Sequence, residues 1–272
     1  ARGEGDLSPI AAPTAPRELQ PLIAATNQVM QRLRHLLRHQ KRFVRDASHQ
    51  LRTPLAVLKT QVQSALRGDM PAEQALHEIS DTVDRATQLA NQMLALAKVE
   101  QLRQQSEPPI TRLDEVLRTV ALEISPLIAQ RDLDFGIQTE AAPVRAHEWM
   151  LRELTRNLLH NAVRHAPPGS ELTVDLRSDA HHTALTISDH GPGIEPELAS
   201  RLFQPFSAGD VRSGSGLGLA ICQEIVQALE GSIALTNREL GSKVLGLDAV
   251  VRLPLARPQP DVGHPAIPHK VE

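Results

Sequence analysis

Apolar residues open the chain with a helical rhythm. Leu19, Leu22, Ile23, Val29, Met30, Leu33, Leu36 and Leu37 recur every three or four positions, and the repeat predicts a coiled-coil-like helix from Glu18 to about Arg67. Further along it, at 100° per residue from Phe43, the positions Ala47, Leu51, Pro54, Leu58 and Val62 fall within about a third of a turn, a core-facing stripe. His49 points about 180° away from that stripe, with Arg45, Arg52 and Thr53 near it at helical spacing. Pro54 lacks an amide proton and is expected to bend the helix. Gly68-Asp-Met-Pro71 predicts a turn, with proline at the start of a second helix. Ala75, Leu76, Ile79, Val83, Ala86, Leu89, Ala90, Met93, Leu96 and Ala97 carry that helix on. A two-helix hairpin cannot cover both of its own stripes, so pairing of two copies into a four-helix bundle is expected.

Pro108-Pro109 marks a boundary, and beyond it the period changes. The pattern predicts helix 113–130, a strand near 132–138, helix 147–165, strands near 171–177 and 182–188, and helices 195–203 and 217–229. Strands near 232–236 and 247–253 follow. This reads as an α+β sandwich, helices on one face of a mostly antiparallel sheet. The expected organisation is a connector over 1–17, a helical hairpin over 18–106, a second domain over 110–254, and a proline-rich disordered tail over 255–272.

Composition narrows the function. The net charge of −3 and the 2% aromatic content, with no tyrosine, give no basic surface or stacking platform for nucleic acid. One cysteine, Cys222, excludes an internal disulfide and sits in an apolar run as a small core residue. No run approaches the roughly 18 apolar residues of a membrane span.

Three polar constellations interrupt the second domain. On helix 147–165, Glu153, Asn157, Asn161 and Arg164 flank the buried stripe, with His165 adjacent. Neutral amide oxygens can complete the shell of a Mg²⁺ held by phosphates, and the basic pair can meet the phosphates directly. Asp189-His-Gly191-Pro-Gly193 leaves an apolar strand as a turn; its glycines admit a flat ligand, and its carboxylate can accept from an exocyclic amine such as that of adenine. Ser213-Gly214-Ser-Gly216-Leu217-Gly218 runs into an amphipathic helix whose exposed amides suit phosphate. It lacks the Gly-Lys-[Ser/Thr] of a P-loop. Between the last two, residues 202–212 read as a mobile lid, with Arg212 a candidate phosphate contact.

These segments resemble, in order and spacing, the five motif boxes of the bacterial two-component sensor histidine kinases. The H-box is His49-Gln-Leu-Arg-Thr-Pro54-Leu, and the N-box Asn157-Leu-Leu-His-Asn161-Ala-Val-Arg164-His165. The G1 box is Asp189-His-Gly-Pro-Gly193, the F-box Phe203-Gln-Pro-Phe206, and the G2 box Gly214-Ser-Gly-Leu-Gly218. The resemblance covers about residues 18–254. It implies a dimerising phosphoacceptor hairpin, a Bergerat-type ATP-binding domain, ATP and Mg²⁺ as cofactors, and a response regulator's receiver domain as partner. Asp189, Gly191 and Gly193 would meet adenine, and Asn157 and Asn161 the metal. Arg164, His165, Arg212 and the Gly214, Gly216, Leu217 and Gly218 segment would hold phosphates. Residues 1–37 resemble the end of a HAMP-type signal relay, which implies a cytoplasmic portion of an inner-membrane sensor whose spans lie outside this sequence.

By the same resemblance, His49 is the phosphoacceptor, since a neutral imidazole is nucleophilic near pH 7. Two departures stand out. Most members carry an acidic residue after that histidine; here it is Gln50, which cannot act as a base. Kinase activity is still expected, because phosphoryl transfer rests on positioning and charge stabilisation, with Gln50 and Thr53 a candidate pair for dephosphorylating the regulator. The segment Gly241–Val250 matches the family's last glycine box poorly and stays unassigned. Two other readings remain open from the residues alone: a freestanding ATPase in which Glu153 activates water, and a degenerate scaffold that binds a partner.

Overall fold

A computed structural model of the chain describes residues 16, 19–103, 107–199, 201–205, 216–241 and 243–256. The chain divides into two compact units, residues 1–90 and 91–272. The predicted connector over 1–17, apart from Pro16, and the tail beyond residue 256 lie outside the described residues, as does the lid from residue 206.

The first unit holds α1 (Gln20–Arg67) and the beginning of α2 (Ala72–Arg103). Gly68 ends α1 in the left-handed region, where glycine has no Cβ to clash. Its amide donates to Ala65 O and that of Asp69 to Ser64 O, both at 3.1 Å, which satisfies carbonyls a helix end leaves open. Leu51, Pro54 and Leu58 are half-buried as their period requires, while His49, Gln50, Arg52 and Thr53 are exposed. Two expectations need correction. Val62, assigned to the core stripe, is exposed, and its neighbour Gln61 turns inward to donate to Glu78 O at 3.3 Å. On α2 the predicted stripe splits, with Ala75 and Leu89 buried but Leu76 and Val83 exposed, while Thr82, outside the stripe, is buried. A single chain thus leaves an apolar row uncovered on each helix.

The second unit is built on a five-stranded sheet in the order β2-β4-β5-β7-β6, from β2 (Asp134–Thr139), β4 (Glu171–Ser178), β5 (His182–Asp189), β7 (Lys243–Pro254) and β6 (Ser232–Leu240). Only β2 and β4 run parallel; the other neighbours are antiparallel. Alternate residues of the central strands, among them Leu172, Val174, Leu176, Leu185, Ile187, Val251 and Leu253, are almost fully buried, the period-2 pattern of a sheet with one covered face. The cover is α3 (Leu113–Gln130), α4 (Glu148–His165) and α6 (Gly218–Ala228), with α4 packed against both α3 and α6 and over β5. Leu151, Leu154 and Leu158 drive that packing at 0–2% exposure, and truncating any one to alanine would cost about 2–5 kcal/mol.

The sequence missed a small second sheet, in which β1 (Ile110–Arg112) pairs antiparallel with β3 (Pro143–Arg145). Three-residue strands are too short to show a period. The predicted helix 195–203 is realised only as α5 (Pro196–Ala199), followed by single turns such as Gln204 N to Arg201 O at 2.9 Å. Pro205 restricts the residue before it and works against helix continuing there. β6 also runs four residues past its predicted end, through Asn237 and Arg238 to Leu240.

Candidate nucleotide site

The site in the second unit forms where three chain ends meet: the C-terminal half of α4, the C-terminal end of β5, and the N-terminus of α6. Asn157 is half-buried on α4, and its Nδ2 donates to the Glu153 carbonyl at 2.8 Å and to Glu153 Oε1 at 2.9 Å. Both partners are acceptors, so the amide nitrogen must face them and the oxygen is left to face α6. A Cβ placed on Gly218 would stand 3.0 Å from Asn157 Oδ1, so the N-box and the start of α6 are in direct contact. Asn161 lies one turn further along α4, also half-buried.

Asp189 closes β5 at 4% exposure. Its Oδ1 accepts the Gly191 amide at 2.7 Å. Burial pushes its carboxyl above the ordinary carboxylate range, opposed by the Gly191 amide, His165, Arg238 and His190. The end of α4 meets this turn directly: a Cβ on Gly191 would lie 2.9 Å from the His165 carbonyl oxygen. Partial burial and Arg164 hold the His165 imidazole below its usual range, with Asp189 pulling the other way. Gly193 follows at φ 75°, a left-handed conformation glycine adopts without strain.

The structure therefore brings Asn157 against Gly218, and His165 against Gly191 beside Asp189; Asn161 lies on α4 between Asn157 and His165, Leu217 is buried, and Gly216 leads into α6. Arg164 is on the exposed side of α4's last turn. Arg212 and Gly214 lie outside the described residues. His49, Gln50 and Thr53 belong to the first unit, exposed along α1. Sequence reasoning missed Asn237 and Arg238, which reach this region from β6; Asn237 binds Ile194 and Arg238 binds the Asp189 carbonyl. Their signal was two polar residues just past the end of a predicted strand, where they read as turn.

Comparison with known proteins agrees with this geometry. Residues 146–257 match the family model of histidine kinase-, DNA gyrase B- and HSP90-like ATPases, and residues 39–102 match the His Kinase A (phospho-acceptor) domain. Fold and site thus define an ATP-binding module joined to a phosphoacceptor hairpin. The chain carries a phospho-acceptor and an ATPase domain in one polypeptide, and it is similar to sensor histidine kinases. It is 34% identical to the sensor protein QseC of Salmonella typhi over 252 residues, covering 90% of this chain and 54% of the relative. It is also 34% identical to the sensor protein kinase PmrB of Pseudomonas aeruginosa over 271 residues, covering 97% and 55%. The chain spans about half the length of these curated relatives. The fold is shared with histidine kinase ThkA, solved in complex with response regulator protein TrrA, at a TM-score of 0.66 and 19% identity over 82% of this chain and 64% of that one. No helix among the described residues is long and apolar enough to cross a membrane.

Proposed function

We propose that the chain is the kinase portion of a two-component sensor: it transfers the γ-phosphoryl group of ATP to His49 and then to an aspartate of a response regulator. The observation that carries this reading is an exposed histidine on a helix matched by the phosphoacceptor model, in the same chain as a buried, amide-tethered Asp189 beside an Asn157–α6 contact. Asp189 Oδ2 accepts from the adenine amine, and Gly191 and Gly193 let the turn that carries it close against His165 and Asn237. His165, Arg164, Arg212 and the amides from Gly214 to Gly218 meet the phosphates, where the positive end of α6 favours anions.

The site suits Mg²⁺ because Asn157 turns a neutral oxygen toward α6. Asn157 and Asn161 would hold the ion, which supplies charge neutralisation on the phosphates. One imidazole nitrogen of His49, Nε2 by family resemblance, forms the new N–P bond as ADP leaves. Gln50 has no basic group to take the remaining ring proton, so water or a phosphate oxygen receives it. Gln50 and Thr53 would together orient water for dephosphorylating the regulator. Uncovered apolar rows on α1 and α2 support a homodimer through a four-helix bundle. Similarity to sensor proteins supports a place at the cytoplasmic face of a bacterial inner membrane, by way of segments outside this chain.

The rival reading, with Glu153 as base of a freestanding ATPase, is disfavoured because that carboxylate is already engaged by Asn157 and lies 3.8 Å from Arg156. Incubation with γ-labelled ATP and Mg²⁺ should leave acid-labile, alkali-stable label on the full chain, and His49→Gln should abolish it. Undiminished label in that variant defeats the assignment.

A further inference from the structure

The adenine-reading segment, Asp189 to Ile194, is gripped at both ends from β6, a strand that does not pair with β5. In the sheet, β7 lies between them: Asp189 pairs with Leu247 and Arg238 with Gly246. Arg238 reaches across β7, donating from Nη2 to the Asp189 carbonyl oxygen at 2.6 Å, while its Nη1 stands 3.4 Å from Asp248 Oδ1. The crossing is possible only because residue 246 has no side chain. A Cβ there would lie 1.9 Å from the Asp189 oxygen and 2.6 Å from Arg238 Nη2. This gives a physical reason for a glycine in the stretch 241–250, which matches the family's last glycine box poorly.

One residue earlier, Asn237 holds the far end of the segment. Its Oδ1 accepts the Ile194 amide at 2.8 Å and its Nδ2 donates to the Ile194 carbonyl at 2.9 Å, so one side chain satisfies both backbone groups as a strand neighbour would. The fit is close on this side too: a Cβ on Gly193 would meet Asn237 Oδ1 at 2.7 Å and Val244 Cγ1 at 2.6 Å. The pairing register of β6 with β7 shifts between Arg238 and Glu239, and such a bulge re-aims side chains that a regular strand would send elsewhere.

We propose that Asn237 and Arg238 are positioning residues of the nucleotide site: they clamp the two ends of the Asp189–Ile194 turn and so fix the direction of Asp189 Oδ2. The proposal rests on the assignment of Asp189 as the acceptor of the adenine amine. Neither residue needs to touch the nucleotide. Each replaces solvent or a mobile loop contact with a fixed hydrogen bond, and the ligand then meets a turn already in its bound form. The phosphate end of the site, on α4 and α6, makes none of these contacts.

The test separates base recognition from phosphate binding in the full chain. Affinities for ADP, GDP and inorganic tripolyphosphate are measured by calorimetry for the parent, Asn237→Ala, Arg238→Met, the milder Arg238→Lys, and Asp189→Asn. The clamp predicts that Asn237→Ala and Arg238→Met each lower the preference for ADP over GDP by about tenfold, the effect of one lost oriented hydrogen bond. Tripolyphosphate affinity should stay within about twofold, and Arg238→Lys should recover part of the preference. If Asp189→Asn itself leaves the preference unchanged, the reading of Asp189 falls. If Asp189→Asn abolishes the preference while Asn237→Ala and Arg238→Met keep it, the clamp falls and that reading stands. Equal loss of ADP and tripolyphosphate affinity, with a lowered Tm, would show a general structural role and also overturn the clamp.

Discussion

Glu153 gives the sharpest prediction, because its two readings differ in the size and kind of effect expected from one substitution. In the structure its carboxylate accepts from Asn157 Nδ2 at 2.9 Å, and its side chain is 16% exposed. Glu153→Ala removes that acceptor but keeps the backbone carbonyl that holds the same amide at 2.8 Å. The loss is therefore one hydrogen bond to a charged group, worth about 1.5 kcal/mol at the low end of its range because the second bond survives. That corresponds to about tenfold. It should appear as a higher Mg²⁺ requirement and KM for ATP in autophosphorylation, since Asn157 would less often present its oxygen toward α6.

Glu153→Gln separates the mechanisms. A glutamine can turn its carbonyl oxygen to Asn157 and keep a neutral bond, so a fall of only about twofold is expected. A base that activates water would lose its function in both variants, with phosphate release from ATP down by about 10² or more. The assay is the initial rate of acid-labile labelling of the full chain across a Mg²⁺ titration, with phosphate release followed in the same samples. Glu153→Gln as inactive as Glu153→Ala, or slower rates at an unchanged Mg²⁺ requirement, would refute the positioning argument.

Asp114 and Cys222 give two further predictions. The buried Asp114 carboxylate accepts from Arg112 Nε and Nη2 at 2.8 and 2.7 Å and from the Ala142 amide at 3.1 Å, and Arg112 leads in holding its pKa below the ordinary range. A depressed pKa stabilises the fold above the unfolded value of about 4 and loses that contribution as pH falls through the folded one. Asp114→Asn should thus cost about 2 kcal/mol in urea denaturation at pH 7, with the gap from the parent closing below about pH 4; a gap independent of pH would be the contrary result. Cys222 is fully buried, and burial pushes its thiol far above the ordinary range. A thiol reagent at pH 8 should therefore label it no faster than the domain unfolds, and labelling in the native state within seconds would contradict the packing.

Legibility in the sequence depended on how many residues carried each signal. α3 and α4 repeat an apolar position through four or more turns, and their ends agree with expectation to within a residue. β1 and β3 offer three residues each, less than any period needs, and they are recognisable only through the partner each finds in space. α5 shows the opposite error: Leu198, Leu202 and Phe203 have helical spacing, yet the chain makes separate turns and stops before Pro205. Apolar spacing carries no information about a proline two residues beyond it.

The site divided along the same line. Asn157, Asn161, Asp189 and the glycines were legible because each motif is contiguous and its chemistry is carried by residue type at fixed spacing. Asn237, Arg238 and Gly246 have no such local signature. Their roles arise from strand order, since β6 neighbours β7 and β7 neighbours β5; only that order brings a guanidinium from residue 238 to the carbonyl of residue 189. On sequence alone Gly246 is one glycine in an irregular stretch and Asn237-Arg238 a polar break. With the sheet assembled, the glycine is the gap the arginine passes through. The residues that bind a ligand can be written in one short motif, whereas those that hold the motif in shape are spread over strands paired only after folding. Substitutions at such supporting positions should therefore spare the phosphate contacts and act on base selectivity first.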